Sequence, residues 1–171
     1  MLIFSVTVNS QTKNISPSDC TPIPKYQSTV ASMKGRLYVQ NFVNNKTYSN
    51  IRPIDLLKSM EMQKTLINFS YSATSSSTQN YILLDIRTTI KLNNEEYSKM
   101  SRNHWPFPLK GEKSYTPELF DFIPSLEQLM ARGTPTVTYL PKGAYEIVLD
   151  IIPSGSDKSS IPPAVITFNI N

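Results

Sequence analysis

The only histidine and the only tryptophan of the chain, His104 and Trp105, stand side by side in SRNHWPFPLKGE, with Arg102 just before them and Phe107 just after. Nucleophilic or acid–base chemistry needs a positioned base beside the reacting group. With one histidine, that base is His104 or nothing of the imidazole type. The lone Cys20 lies between prolines in SPSDCTPIPK, an irregular extended stretch without the helix N-terminus that lowers a thiol pKa. No G-x-S-x-G elbow presents a serine. Catalysis by these groups is therefore not expected.

Other chemistries fail on ligand count or spacing. One His and one Cys cannot build a structural zinc site within the chain, and no D-x-D-x-D-G loop offers calcium an oxygen cage. The five glycines, Gly35, Gly111, Gly133, Gly143 and Gly155, lie too far apart for a phosphate-cradling loop. No metal and no cofactor is expected. Adjacent carboxylates Glu95 and Glu96 would point to opposite faces of a strand, whereas glycosidic chemistry needs two carboxyl groups about 5–9.5 Å apart across a cleft. Long-range carboxylate pairs are not visible in sequence, so a carbohydrate-active enzyme stays open as a secondary alternative.

The aromatic pair reads better as a contact. Pro106 and Pro108 favour an extended backbone before them, which sets Trp105 and Phe107 two apart on one side. Trp and Arg are enriched at interface hot spots. Arg102, His104, Trp105 and Phe107 are accordingly the candidate binding or interface residues, on a corner or contact loop, with core-plugging aromatics as the competing expectation.

The elements that must hold this loop are strands. In NYILLDIRTTIKLN, Ile82, Leu84, Ile86, Ile90 and Leu92 share one face, opposite Asp85, Arg87, Thr89 and Lys91, which predicts a buried row backed by exposed charges. Alternation also marks residues 1–10, 145–152 and 164–171. GRLYVQNFV (35–43), KTLINFSYSA (64–73) and TPTVTYL (134–140) complete about seven strands. Pro141 and Gly143 in TYLPKGAYEI suit a turn, so the strands on either side are expected to pair as a hairpin. SATSSSTQN (72–80) reads as a polar surface loop.

Two helical signals interrupt the strands. NIRPIDLLKSMEMQ has Asn50 as a candidate cap and Pro53 in its first turn. TPELFDFIPSLEQLMARG divides at Pro124, with Ser125 and Gln128 spaced as a capping box and Gly133 as the stop. Leu119, Phe120, Phe122, Ile123, Leu126 and Leu129 would cover an open end of the fold.

With 171 residues, 18% charged, five glycines and 13 prolines, these features predict an all-β chain. The fold expected over 1–171 is one β-sandwich domain of jelly-roll or immunoglobulin-like type, with two short helices in its connections. No apolar run reaches the roughly 18 residues of a membrane span, and the alternating first ten residues do not read as a signal peptide. A single cysteine argues for a reducing compartment. The triplets at Asn14, Asn45 and Asn68 fit glycosylation but arise readily by chance in so Asn-, Ser- and Thr-rich a chain.

The net charge of +4 is unevenly spread: residues 1–111 hold 13 Lys and Arg against 6 Asp and Glu, residues 112–171 hold 4 against 7. Opposed charge fits association between copies or with an acidic partner. The basic residues are scattered singly, which offers no clear nucleic-acid site. The leading functional expectation is a non-enzymatic structural subunit of a larger assembly, a viral capsid or other virion component, working through identical subunits or other proteins in the virion or infected-cell cytoplasm. The alternative is a sandwich module that binds lipid, carbohydrate or peptide.

Overall fold

The computed structural model describes residues 28–131 and 139–171, apart from the side chains of 129–131. The strand expected at 1–10, Cys20, Asn14, the Gly133 stop and most of 134–140 lie outside the described residues, as does the Leu129 side chain.

The described chain runs β1 (Val30–Gln40), β2 (Lys46–Tyr48), α1 (Pro53–Met62), β3 (Leu66–Ser75), β4 (Tyr81–Leu92), β5 (Glu95–Pro108) and β6 (Lys110–Tyr115). A 3-10 turn (Pro117–Phe120), α2 (Phe122–Ala131), β7 (Gly143–Pro153) and β8 (Ala164–Ile170) follow. The strands form two sheets, β1-β3-β6 and β2-β8-β7-β4-β5. The fold is a β-sandwich, and this order matches the immunoglobulin type, three strands facing a larger sheet, better than a jelly roll.

Period-two alternation builds the core. Ile82, Leu84, Ile86 and Ile90 of β4 are buried, as expected, and they face Phe69 and Tyr71 of β3 across one continuous hydrophobic cluster. Phe69 and Tyr71 stack at 4.5 Å, and Tyr145 stacks on Phe168 at 4.8 Å, offset pairs of the kind aromatic quadrupoles favour. Leu56 and Met60 of α1 and Phe122 and Leu126 of α2 join the same cluster, so both helices bury their apolar residues in the core.

Four local expectations are corrected. First, residues 101–108 are not a loop but the second half of β5: Asn93 and Asn94, both with positive φ (52° and 69°), make the tight two-residue turn that right-twisted hairpins prefer, and β5 returns along β4. Second, Tyr139 and Leu140, the described end of the expected strand at 134–140, are not strand, and β7 has β4 on one side and β8 on the other. Instead, the Tyr145 hydroxyl donates to the Pro141 carbonyl at 2.8 Å, four residues upstream, a tyrosine corner at the start of the strand that carries it in immunoglobulin-type sandwiches. Third, the second helical segment divides at Asp121, which takes a left-handed φ of 49°, and not at Pro124. Pro124 sits in the first turn of α2, where it has no partner to lose. The buried Ser125 hydroxyl makes no cap and has no hydrogen-bond partner among the described residues, while Gln128 accepts from Ser98 at 2.6 Å. Fourth, α1 starts from Arg52, which makes no side-chain cap but pairs with Asp55, and not from Asn50.

Candidate functional site

The longest strand, β5, carries all four candidate residues and forms one edge of the five-stranded sheet. Its pairing with β4 slips between Leu84 and Ile86: Ile86 lies opposite Arg102 and Leu84 opposite Trp105. Two β5 residues, Asn103 and His104, therefore face the single Asp85. This is a β-bulge, and His104 takes the positive φ of 60° that lets the extra residue fit.

The bulge parts the candidate residues into three environments. Phe107 is 3% exposed and meets Phe69 and Tyr71 edge-on at 6.0 Å each, so it is core. Trp105 remains 37% exposed, at the sheet edge. The Arg102 guanidinium lies 5.6 Å from its ring centroid, within the range of a cation–π contact. Arg102 in turn donates to both carboxylate oxygens of Asp121, Nε at 2.7 Å and Nη2 in a second short bond, and Nη2 also reaches the Glu118 carbonyl at 3.4 Å. The Asp121 carboxylate raises the Arg102 pKa, burial opposing it. Arg102 and Trp105 thus form one ordered surface pair, held from behind by the junction before α2.

His104 belongs to a different place, a cleft of about 280 Å³ lined by Asp85, Arg87, Asn103, His104, Gly155, Ser156 and Asp157. Asp85, expected on the solvent face, is only 5% exposed. It lies on that outer face by register, but at the bulge the His104 N–H turns to its carboxylate, and the chain after β7 folds over it. The carboxylate accepts the His104 N–H at 3.0 Å and the Ser154 hydroxyl at 2.5 Å. Arg87 Nη2 stands 3.6 Å away and His104 Nδ1 3.9 Å away. Arg87 is half-buried and reaches the Ser156 carbonyl at 3.4 Å. Burial pushes the pKa of neighbouring Asp150 up, against the pull of Arg87 and Lys99.

Sequence reasoning missed Asp85 and Ser154. The available signal was the proline-bounded turn PSGS directly after a strand, short enough to fold back on the sheet it leaves. Among the described residues no group of three or more His, Cys, Asp or Glu converges as a metal site. Glu95 and Glu96 are both exposed at the start of β5. No described helix is long and apolar enough to cross a membrane.

No protein-family model matches the chain, and no curated protein matches it in sequence. Among solved structures, the CARDB domain of a Pyrococcus furiosus protein, crystallised in complex with di-metal ions, aligns over 89% of this chain and 100% of its own, at 8% identity and a TM-score of 0.35. A likeness that loose carries nothing about the site, and the sandwich assignment rests on the two sheets themselves.

Proposed function

We propose that this protein is a non-enzymatic subunit of a larger protein assembly, a viral capsid or other virion component in the leading instance, and that it docks through the Arg102–Trp105 pair on β5. The observation that carries the proposal is Trp105 at 37% exposure beneath an arginine already locked to Asp121. Tryptophan and arginine dominate interface hot spots. A side chain ordered before binding also loses less rotamer freedom on docking.

The edge that carries the pair supports a side-chain contact over strand addition. Register shifts at Leu84/Ile86 and at Ile90/Lys91 bend β5 away from a flat ladder. The Ser154 N–H bonds the Leu83 carbonyl on the β7 side, so Leu84 and its partner Trp105 bond each other, and Pro106 and Pro108 turn their nitrogens outward. Bulges and prolines are the devices that stop edges from recruiting strands. The partner therefore meets side chains. Sedimentation of the wild type and of Trp105→Ala tests the proposal: association of the folded protein should weaken by more than about 1 kcal/mol, and an unchanged assembly state would count against it.

A second reading, a carbohydrate-binding module, draws on the polar His104 cleft with its Asp85 floor. Ligand-observed NMR with simple sugars, repeated on His104→Ala, separates it from the first.

A further inference from the structure

The sandwich has a second long edge, and its design is the opposite of β5. Strand β1 ends the three-stranded sheet, and from Ser32 to Gln40 its register against β3 is unbroken. Its eleven residues contain no proline. Two hydrogen bonds fix the direction of its backbone groups. Ala73, the β3 partner of Met33, sends its N–H the other way, to the Leu109 carbonyl at 2.7 Å. Met33 sends its own carbonyl outward to the Ser160 hydroxyl. Because these groups alternate along a strand, Gly35, Leu37 and Val39 also present N–H and C=O away from β3, on a side where no described strand pairs with β1.

The surroundings of that edge select a partner. Val30, Ala31, Ser32, Met33, Pro153, Lys158 and Ser160 line a cleft of about 280 Å³ between the start of β1 and the β7–β8 connection. It is large enough for an apolar side chain and rimmed by a lysine. Lys34 and Arg36 stand exposed on the outer face of β1, Arg36 lying 5.3 Å from the Tyr38 ring. The three strands of this sheet carry Lys34, Arg36, Lys110 and Lys113 against Glu112 as their one carboxylate. Pairing β1 with β1 of a second copy would set like charges alongside one another, which is unfavourable. An acidic strand meets the opposite sign.

We infer that the β1 edge is a docking site for an extended acidic segment of a partner protein, taken up as a fourth strand. Its backbone pairs with Gly35, Leu37 and Val39, alternate acidic side chains lie beside Lys34 and Arg36, and an inward apolar side chain enters the cleft at Met33 and Pro153. Main-chain bonds supply affinity in this mode and the alternating side chains supply specificity.

The probe is a fluorescent peptide of alternating valine and glutamate, about as long as β1, titrated with the full chain and followed by anisotropy. It should bind saturably, and roughly tenfold more weakly to Lys34→Glu/Arg36→Glu, a change of about 1.4 kcal/mol. Val39→Pro, which removes an outward N–H and no bond to β3, should weaken it similarly. Should that variant fail to fold, a peptide N-methylated on the amides that face β1 makes the same test without altering the protein. Trp105→Ala should bind as wild type, which separates this site from the β5 contact. No binding, equal binding of a valine–lysine peptide, equal binding of the N-methylated peptide, or a loss of binding in Trp105→Ala would each overturn the inference.

Discussion

Replacing Asp85 by alanine separates a buried carboxylate from an exposed one. The side chain accepts the His104 N–H at 3.0 Å and the Ser154 hydroxyl at 2.5 Å, and it is 5% exposed. Alanine leaves the buried Ser154 hydroxyl without its acceptor, and a donor stranded in this way costs about 1–3 kcal/mol. The His104 N–H, part-buried at the cleft, adds less, and the loss of the carboxylate 3.6 Å from Arg87 comes on top. That is a large share of the roughly 5–15 kcal/mol by which domains are stable. Asp85→Asn keeps one acceptor oxygen and should cost less, about 1–2 kcal/mol. A solvent-facing carboxylate would give about 0.5 kcal/mol or less for either change. Urea denaturation followed by circular dichroism measures the midpoint, with an unchanged slope showing that the unfolded state is the same. A cost of alanine below about 0.5 kcal/mol, or equal costs for alanine and asparagine, would refute the reasoning.

Gly35→Ala should destabilise by about 1–3 kcal/mol, because an added Cβ would come within 2.1 Å of the Ser70 carbonyl oxygen, and backbone must move; thermal melting checks it. Leu84→Ala should cost about 2–5 kcal/mol through lost burial and the cavity left behind, measured by the same denaturation series. Alkaline stability should fall as pH rises from about 10, since burial pushes the Tyr71 phenol up to about 12 and raises Tyr145 as well. The unfolded chain releases these protons near pH 10 while the folded chain holds them, so the stability present below 10 is lost as the pH climbs toward 12. Tyr71→Phe should flatten that decline in a pH series of melts.

The fold was legible wherever a single strand declares itself by alternation. Ile82, Leu84, Ile86 and Ile90 required no knowledge of their neighbours, and neither did Tyr145, Ile147 and Leu149. The candidate site was not legible in the same way, because it is made by pairing. Asp85 looks exposed by alternation alone; it is buried because β5 bulges opposite it and Ser154 folds back over it, neither of which β4 encodes. Pro106 and Pro108 made β5 resemble a loop, although at a sheet edge with outward nitrogens proline costs no ladder bond. Asn93 and Asn94 held the hairpin signal, a pair of residues tolerant of positive φ between two runs of strand. Arg102 and Trp105 stood close enough in sequence to be read together, but the Asp121 partner that orders them lies across the sandwich connection and becomes visible only in the fold.

A protein–protein contact that covers Trp105 has a built-in reporter, since Trp105 is the one tryptophan of the chain. Acrylamide quenching of tryptophan emission, recorded over a concentration series in which sedimentation shows the assembly forming, follows the exposure of that ring directly. Quenching should fall in step with association, and Arg102→Ala, which frees the ring from its guanidinium cover, should shift both together. Association with quenching unchanged would put Trp105 outside the contact.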